Sequence, residues 1–275
     1  MRKSRLLLCC STAAITTAVF IFVASCHKSP ATEDTGFAAD HAATEQTFTD
    51  VQSISDQAAN ISSGSLGYKT TATTIGGCAT VTRAPGKITI DFGTTDCTCH
   101  DGRKRRGTII VTYTGAYADS GSVHTVTFSN YYQNDNKVTG TKTVTNMGLN
   151  ASGQPYFNIH ESGSITYKGG GTVSSEWNRV RTWTAGYSTL TYLADDVYEV
   201  TGSGKLTRAN SEVININITT PLIVALNCHW IEAGAVTFAM SNGKSRILNY
   251  GDLANCDDQA TVTLSNGNVW NITLP

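Results

Sequence analysis

The chain has 275 residues, a formal net charge of −1 from 20 basic against 21 acidic residues, and 40% hydrophobic residues. So mild a balance, slightly acidic, lacks the basic footprint of a nucleic-acid binder, and no nucleic-acid partner is expected. The length suffices to bury a full core in one domain or two, and 8 cysteines make the redox compartment the first question.

The chain opens on "MRKSR", with Arg2, Lys3 and Arg5, then an apolar run from Leu6 to Val23 and the small residues Ala24 and Ser25 before Cys26. A basic start, an apolar centre and small residues before a cut make a secretory signal. Val23-Ala24-Ser25-Cys26 resembles the lipobox of bacterial lipoproteins. The resemblance implies a lipoprotein signal peptide over 1–25 and diacylation of Cys26, with palmitate among the chains; the alternatives are an ordinary signal peptide or a retained single span. Acyl chains at about 0.8 kcal/mol per buried methylene would make the membrane a partner through Cys26. Residues 26–38, "CHKSPATEDTGFA", are small and polar and read as a lipidated tether. His27 is not the aspartate that retains some lipoproteins in the inner membrane, so the outer membrane is expected. The acidic run that often follows the cysteine in surface-exposed lipoproteins of Bacteroidota is missing, which leaves periplasmic face and cell surface both open.

Residues 39–275 are expected to form a single β-rich domain with an N-terminal helix. The helix is predicted over about Asp40 to Ala59, where Phe48, Val51, Ile54 and Ala58 recur at spacings of three and four. Asp40 can cap it, and Gly64 lies beyond its end. After about residue 75, Thr, Val, Ile and Tyr alternate in runs broken by Gly, Asn and Asp. "GTIIVTYTG" places Ile109, Val111 and Tyr113 on one face, and "VHTVTFSNYY" places His124, Val126, Phe128 and Tyr132 on one face. "EVININIT" turns Ile214, Ile216 and Ile218 inward, and "ATVTLSNGNVWNITL" is a hairpin about Asn266-Gly267. Roughly ten strands with short connections imply a mainly β fold. The predicted form is an antiparallel meander making a curved sheet or a two-sheet sandwich, with one N-terminal α-helix. A half-barrel like that of bacterial lipoprotein carriers is a third arrangement, by fold analogy alone.

An oxidising envelope makes disulfides the default for the five cysteines after Cys26. "ITIDFGTTDC" and "RILNYGDLANC" echo each other, each preceded by one lone cysteine. The echo predicts Cys78–Cys97 and Cys228–Cys256, with Cys99 free, each bridge contributing about 3 kcal/mol in the chain-entropy model. A zinc site on Cys97, Cys99 and His100, with Cys228 and His229, would need side chains that strand geometry points apart. Thioredoxin-like redox chemistry wants Cys-x-x-Cys at a helix start, and "HDGRKRRG" lacks the glycine spacing of a phosphate loop. No metal and no cofactor are expected. Arg103 to Arg106 read as a solvated loop or strand start, the sharper alternative being contact with phosphate-bearing headgroups. The segment from residue 76 to 115 is similar to uncharacterised lipoproteins of Bacteroidota. Their pattern is matched by Asp91, Phe92, Gly93, Cys97, Asp101, Gly102, Arg103 and Gly107, and Cys99 is additional. The resemblance implies an envelope lipoprotein and brings no activity with it.

In "SEWNRVRTW" a strand would place Trp177, Arg179, Arg181 and Trp183 on one face. These residues form either a cation–π ladder protecting the sheet or a shallow platform for a sugar or anionic ligand. Hydrolase signatures such as Gly-x-Ser-x-Gly and His-Glu-x-x-His are absent. His160 and Glu161 should point apart, and His124 reads as a satisfied core histidine. Asp195-Asp196 and Asp257-Asp258 read as solvated turns. The expectation is a lipid-anchored envelope protein acting as a non-enzymatic structural or binding module. The rivals are a carrier or binder of a lipid or glycan, and an envelope hydrolase with a spatially assembled site.

Overall fold

The computed structural model describes residues 36–60, 73–75, 77–189, 193–228, 230–251 and 255–274. The expected signal peptide, Cys26, most of the tether, Gly64 and His229 lie outside the described residues. A single helix, α1 (Gly36–Asn60), precedes a long run of strands. These are β1 (Thr73–Ile75), β2 (Ala79–Ala84), β3 (Lys87–Asp91), β4 (Cys97–Thr98), β5 (Lys104–Tyr113), β6 (Val123–Gln133), β7 (Asn136–Leu149) and β8 (Pro155–Thr166). β9 (Thr172–Ala185), β10 (Val197–Thr207), β11 (Val213–Ala225), β12 (Ala233–Met240), β13 (Ser245–Asn249), β14 (Gln259–Leu264) and β15 (Val269–Thr273) complete it.

The strands make one antiparallel sheet in sequence order, with β1 and β15 as its edges and β4 pairing aside onto β5. The sheet is continuous and not closed, and the mainly β, antiparallel meander with one N-terminal helix is as expected. Short connections enforce this order. Asn134 and Asp135 both hold positive φ, 51° and 65°, as a two-residue turn between paired Gln133 and Asn136 requires. The Asn266-Gly267 hairpin forms as expected, with Gly267 at φ 83°.

The apolar stripe of α1 is buried as predicted: Phe48, Val51, Ile54 and Ala58 all lie in the core. The sheet curls around the helix. Phe37 meets Phe238 of β12 at 5.3 Å, Phe48 meets Phe128 of β6 at 6.1 Å, and Arg83 of β2 donates to the Ala58 carbonyl at 2.6 Å. Wrapping explains why the polar residues His41, Thr44 and Ser55 of α1 are also buried. The helix starts four residues before Asp40, which therefore is not its cap. Asp40 instead accepts from Arg208 Nε at 2.8 Å and from the Tyr167 hydroxyl at 3.4 Å.

Strand parity holds for Ile109, Val111, Ile214, Ile216 and Ile218, all buried. It fails once, and instructively. Tyr131 is fully buried in place of the expected Tyr132. The register of β5 against β6 shifts between Arg106 and Thr108, and Asn130 takes φ 47°. An extra residue in one strand inverts every side chain beyond it. Gly107 makes the bulge possible, because a Cβ there would lie 1.9 Å from the Asn130 carbonyl oxygen.

Both predicted disulfides form, Cys78–Cys97 and Cys228–Cys256, and Cys99 is free and buried. Cys97 and Cys228 are thus committed to sulfur partners.

Gly140 and Gly163 are cross-strand partners on β7 and β8. A Cβ on Gly163 would sit 2.0 Å from the Phe48 ring. The helix is seated where the sheet has no side chain. Gly163→Ala should lower stability by about 1–3 kcal/mol through overpacking, and adding Phe48→Leu should recover part of the loss. Urea unfolding midpoints of the two variants check this, and an unshifted midpoint for Gly163→Ala would refute the seat.

Candidate functional site

The sheet has two faces, and they differ in chemistry. On the helix face, β5, β9 and the residue just past β10 present arginines to carboxylates of α1. Arg105 of β5, only 2% exposed, donates to Asp50 at 2.7 Å and to Asp101 at 2.6 Å. Arg179 of β9 meets Glu45 at 2.5 Å, and Arg208 just past β10 meets Asp40 at 2.8 Å. The period of two that turns Ile109 and Val111 inward turns Arg105 inward as well. The basic run is therefore not wholly solvated as expected: Lys104 is exposed, but Arg105 is core. Hydrogen bonds from Arg105, and to a lesser degree from Arg103, hold the Asp101 carboxyl well below the usual carboxylate range despite partial burial.

Trp177, Arg179, Arg181 and Trp183 do share one face of β9, and it is the helix face. Arg179 lies over the Trp177 ring at 3.8 Å. Arg181 lies over Tyr198 at 4.7 Å and Phe157 at 5.2 Å and donates to the Tyr117 hydroxyl. Trp183 stacks on Tyr198 at 5.6 Å. Trp177 is 1% exposed, so the four residues make a ladder beneath α1 and not a platform open at that tryptophan. Gly204 on β10 gives the indole its room, since a Cβ there would lie 2.5 Å from it.

The same face carries a second buried pair. Lys142 of β7 and Glu161 of β8 are cross-strand partners with Nζ and Oε2 3.3 Å apart. Burial pushes Glu45 up, but Arg179, His41 and Lys142 together pull harder and leave it below its usual range. Burial pushes the His41 imidazole down, against Glu45 and with Arg179. His41 packs edge-on against Phe238 at 4.9 Å and tilted against Trp177 at 6.1 Å. Two of these groups reach the helix directly: Arg179 meets Glu45, and Lys142 Nζ donates to the Phe48 carbonyl at 3.5 Å.

The outer face of β7, β8 and β9 is different. It holds a groove of about 340 Å³ lined by Thr143 and Thr145, Asn158 and His160, and Asn178 and Val180, with Ile159 and Arg179 also contributing. A smaller gap of about 160 Å³ lies between α1 and β6–β8. The groove residues sit in register: Thr143 opposite His160, and His160 opposite Asn178. His160 Nδ1 and Asn178 Oδ1 are 2.9 Å apart, and the Thr125 and Thr143 hydroxyls are 3.5 Å apart. The sequence placed His160 and Glu161 on opposite faces, and the structure agrees: His160 is exposed and Glu161 buried. That outward parity was the available signal for the groove, but it could not say which outward polar residues sit around a depression.

The other candidate residues do not gather. His124 is half-buried, stacked on Tyr113 at 5.7 Å and edge-on to Tyr117 at 5.1 Å, and its Nε2 has no hydrogen-bond partner among the described residues. It is a packed histidine that is only partly satisfied. Asp196 is buried beside Tyr198 and is not a solvated turn residue, whereas Asp195 accepts from Thr189 at 2.7 Å. Asp257 and Asp258 bond to Gln259 in an exposed turn.

His41 supplies a test of the helix face. Its folded pKa is depressed, while an unfolded imidazole titrates at about 6.5. The unfolded chain therefore takes up a proton first as pH falls, and this contribution lowers stability below about pH 6.5 and not above it. His41→Gln should flatten the stability profile between about pH 7 and pH 5. Equal pH slopes for the variant and the parent in chemical denaturation would refute a neutral buried His41. Comparison with family models, curated proteins and solved structures finds no match for the chain.

Proposed function

We propose that this protein is a lipid-anchored, non-enzymatic binding module of the cell envelope. It is held at the outer membrane through Cys26 and presents the outer face of β7–β9 to a polar ligand. One observation carries the reading: the helix face is largely covered by α1, with only the smaller gap left beside it, while the outer face carries an open groove lined by hydroxyl, amide and imidazole groups. Small-ligand sites are concave and bring together a few polar groups that fix orientation. The groove residues stand on strands, not loops, so they are held in place before a ligand arrives. His160, the groove histidine, is bonded to the amide of Asn178, an arrangement that lacks the nucleophile–base contact a hydrolase would need.

The lipid-carrier reading places a ligand on the helix face instead. It is favoured by Arg179 and Arg181 lying beside Trp177, Phe157 and Tyr198. It requires α1 to leave, which would part Arg105 from Asp50 and Arg179 from Glu45.

Lipidation is tested first. Cys26→Ser should abolish palmitate labelling and release the protein from envelope membranes, and a variant that stays labelled would refute Cys26 as the acylated residue. The groove is tested by native mass spectrometry of the full chain extracted from envelopes. A copurified ligand should be lost with Asn158→Ala plus Asn178→Ala and kept with Arg181→Lys. The reverse pattern would place the ligand on the helix face.

A further inference from the structure

We propose that the groove on β7–β9 is a site for a neutral oligosaccharide. The idea rests on reading the groove as a binding site and names the ligand class that fits it.

The lining groups both donate and accept hydrogen bonds, as sugar hydroxyls do. Around the groove the outer face continues in the same chemistry. Thr139 pairs with Ser164 at 2.8 Å, Thr166 with Thr172 at 3.0 Å, and Thr125 with Thr143 at 3.5 Å. These cross-strand hydroxyl pairs form a polar surface held rigid by the strands beneath, so little ordering is left to be done on binding. The His160–Asn178 contact joins two of the lining side chains across β8 and β9.

Charge decides against an anionic ligand. The one guanidinium among the lining residues, Arg179, is turned to the helix face and is engaged by Glu45 at 2.5 Å. A phosphate, sulfate or carboxylate would want a permanent cation free to meet it, and among the described residues this groove's lining holds no lysine and no arginine outside an ion pair.

Apolar surface lies in the groove and beside it. Val180 lies in the groove and is 37% exposed. Tyr156 follows the parity of Asn158 and His160 on β8 and is the cross-strand partner of Thr182. It therefore stands on the outer face one pleat before Asn158. An aromatic ring and an aliphatic side chain flanking a set of amides and hydroxyls suit a ring with C–H faces and hydroxyl edges. A volume of about 340 Å³ lies at the small end of ligand sites, the size of a short saccharide segment.

The test uses the full chain extracted in lauryl dimethylamine oxide, a detergent without a sugar headgroup. Maltohexaose, cellohexaose, laminarihexaose and mannohexaose are titrated calorimetrically, with heparin and inorganic phosphate as anionic probes. At least one neutral hexasaccharide should bind. Asn158→Ala and Asn178→Ala should each weaken it about tenfold, the loss of one or two hydrogen bonds. Thr219→Ala, on the outer face away from the groove, should leave binding unchanged, and thermal melting of all variants reports whether each is folded. Binding of heparin or phosphate alone overturns the neutral class, and equal sugar binding by parent and groove variants overturns the location. If no neutral sugar binds but the groove variants still lose the copurified envelope ligand, the sugar is wrong and the binding module stands. If neither is seen, both fall.

Discussion

The rest of the structure depends on how α1 is held inside the curl of the sheet. Its apolar stripe is thin, and most of a helix's stability in a protein comes from packing one face against the rest of the fold. Three carboxylates at different angles around it, Asp40, Glu45 and Asp50, meet Arg208, Arg179 and Arg105 from three separate parts of the sheet. Buried pairs contribute modest net stability, but removing one partner typically costs about 3–5 kcal/mol because a charge is left unsolvated. Such pairs therefore act less as glue than as a key. A helix turned or slid from its seat would strand several charges at once, and it would take the Phe48 ring off Gly163, where the sheet has no side chain in its way.

With α1 covering much of one face, the outer face is the one left open to solvent. The two faces are built from the same strands, and neighbouring residues divide the work. Glu161 is buried against Lys142 while His160 faces outward, and Arg179 is tied to the helix while Asn178 opens onto the groove. Strand alternation makes this division automatic. It also couples the two roles: whatever fixes Arg179 and Glu161 in place fixes the backbone that carries Asn178 and His160. The groove is thus supported by the ion pairs on its reverse side, and a ligand there would meet a surface already set.

Much of this was legible in the chain. The helix stripe of Phe48, Val51, Ile54 and Ala58, the inward isoleucines of β11 and the final hairpin all obey local periodicity. The disulfides were legible for a different reason, an internal echo that gave Cys97 and Cys256 equivalent places after equivalent strands. Errors fell where a long-range event overrode a local rule. Tyr131 replaced Tyr132 in the core because Gly107 allows a bulge on the neighbouring strand. Arg105 looked solvated because its neighbours are basic, yet Asp50, far away in the chain, makes its burial tolerable. Asp40 looked like a cap until its partner proved to be Arg208.

The sequence by itself determined the mainly antiparallel β architecture, the helix with its buried stripe, the cysteine pairing, and which residues of each strand share a face. Each follows from short-range periods or from composition. Only the tertiary structure decided that Trp177 and Arg179 face the helix and not solvent, that the arginines have carboxylate partners on α1, and that Thr143, Asn158, His160 and Asn178 surround one groove. Alternation says that two sets of side chains lie on opposite faces. Which set meets α1, and where the other set forms a depression, depends on how the sheet curves, and curvature is a property of all the strands together.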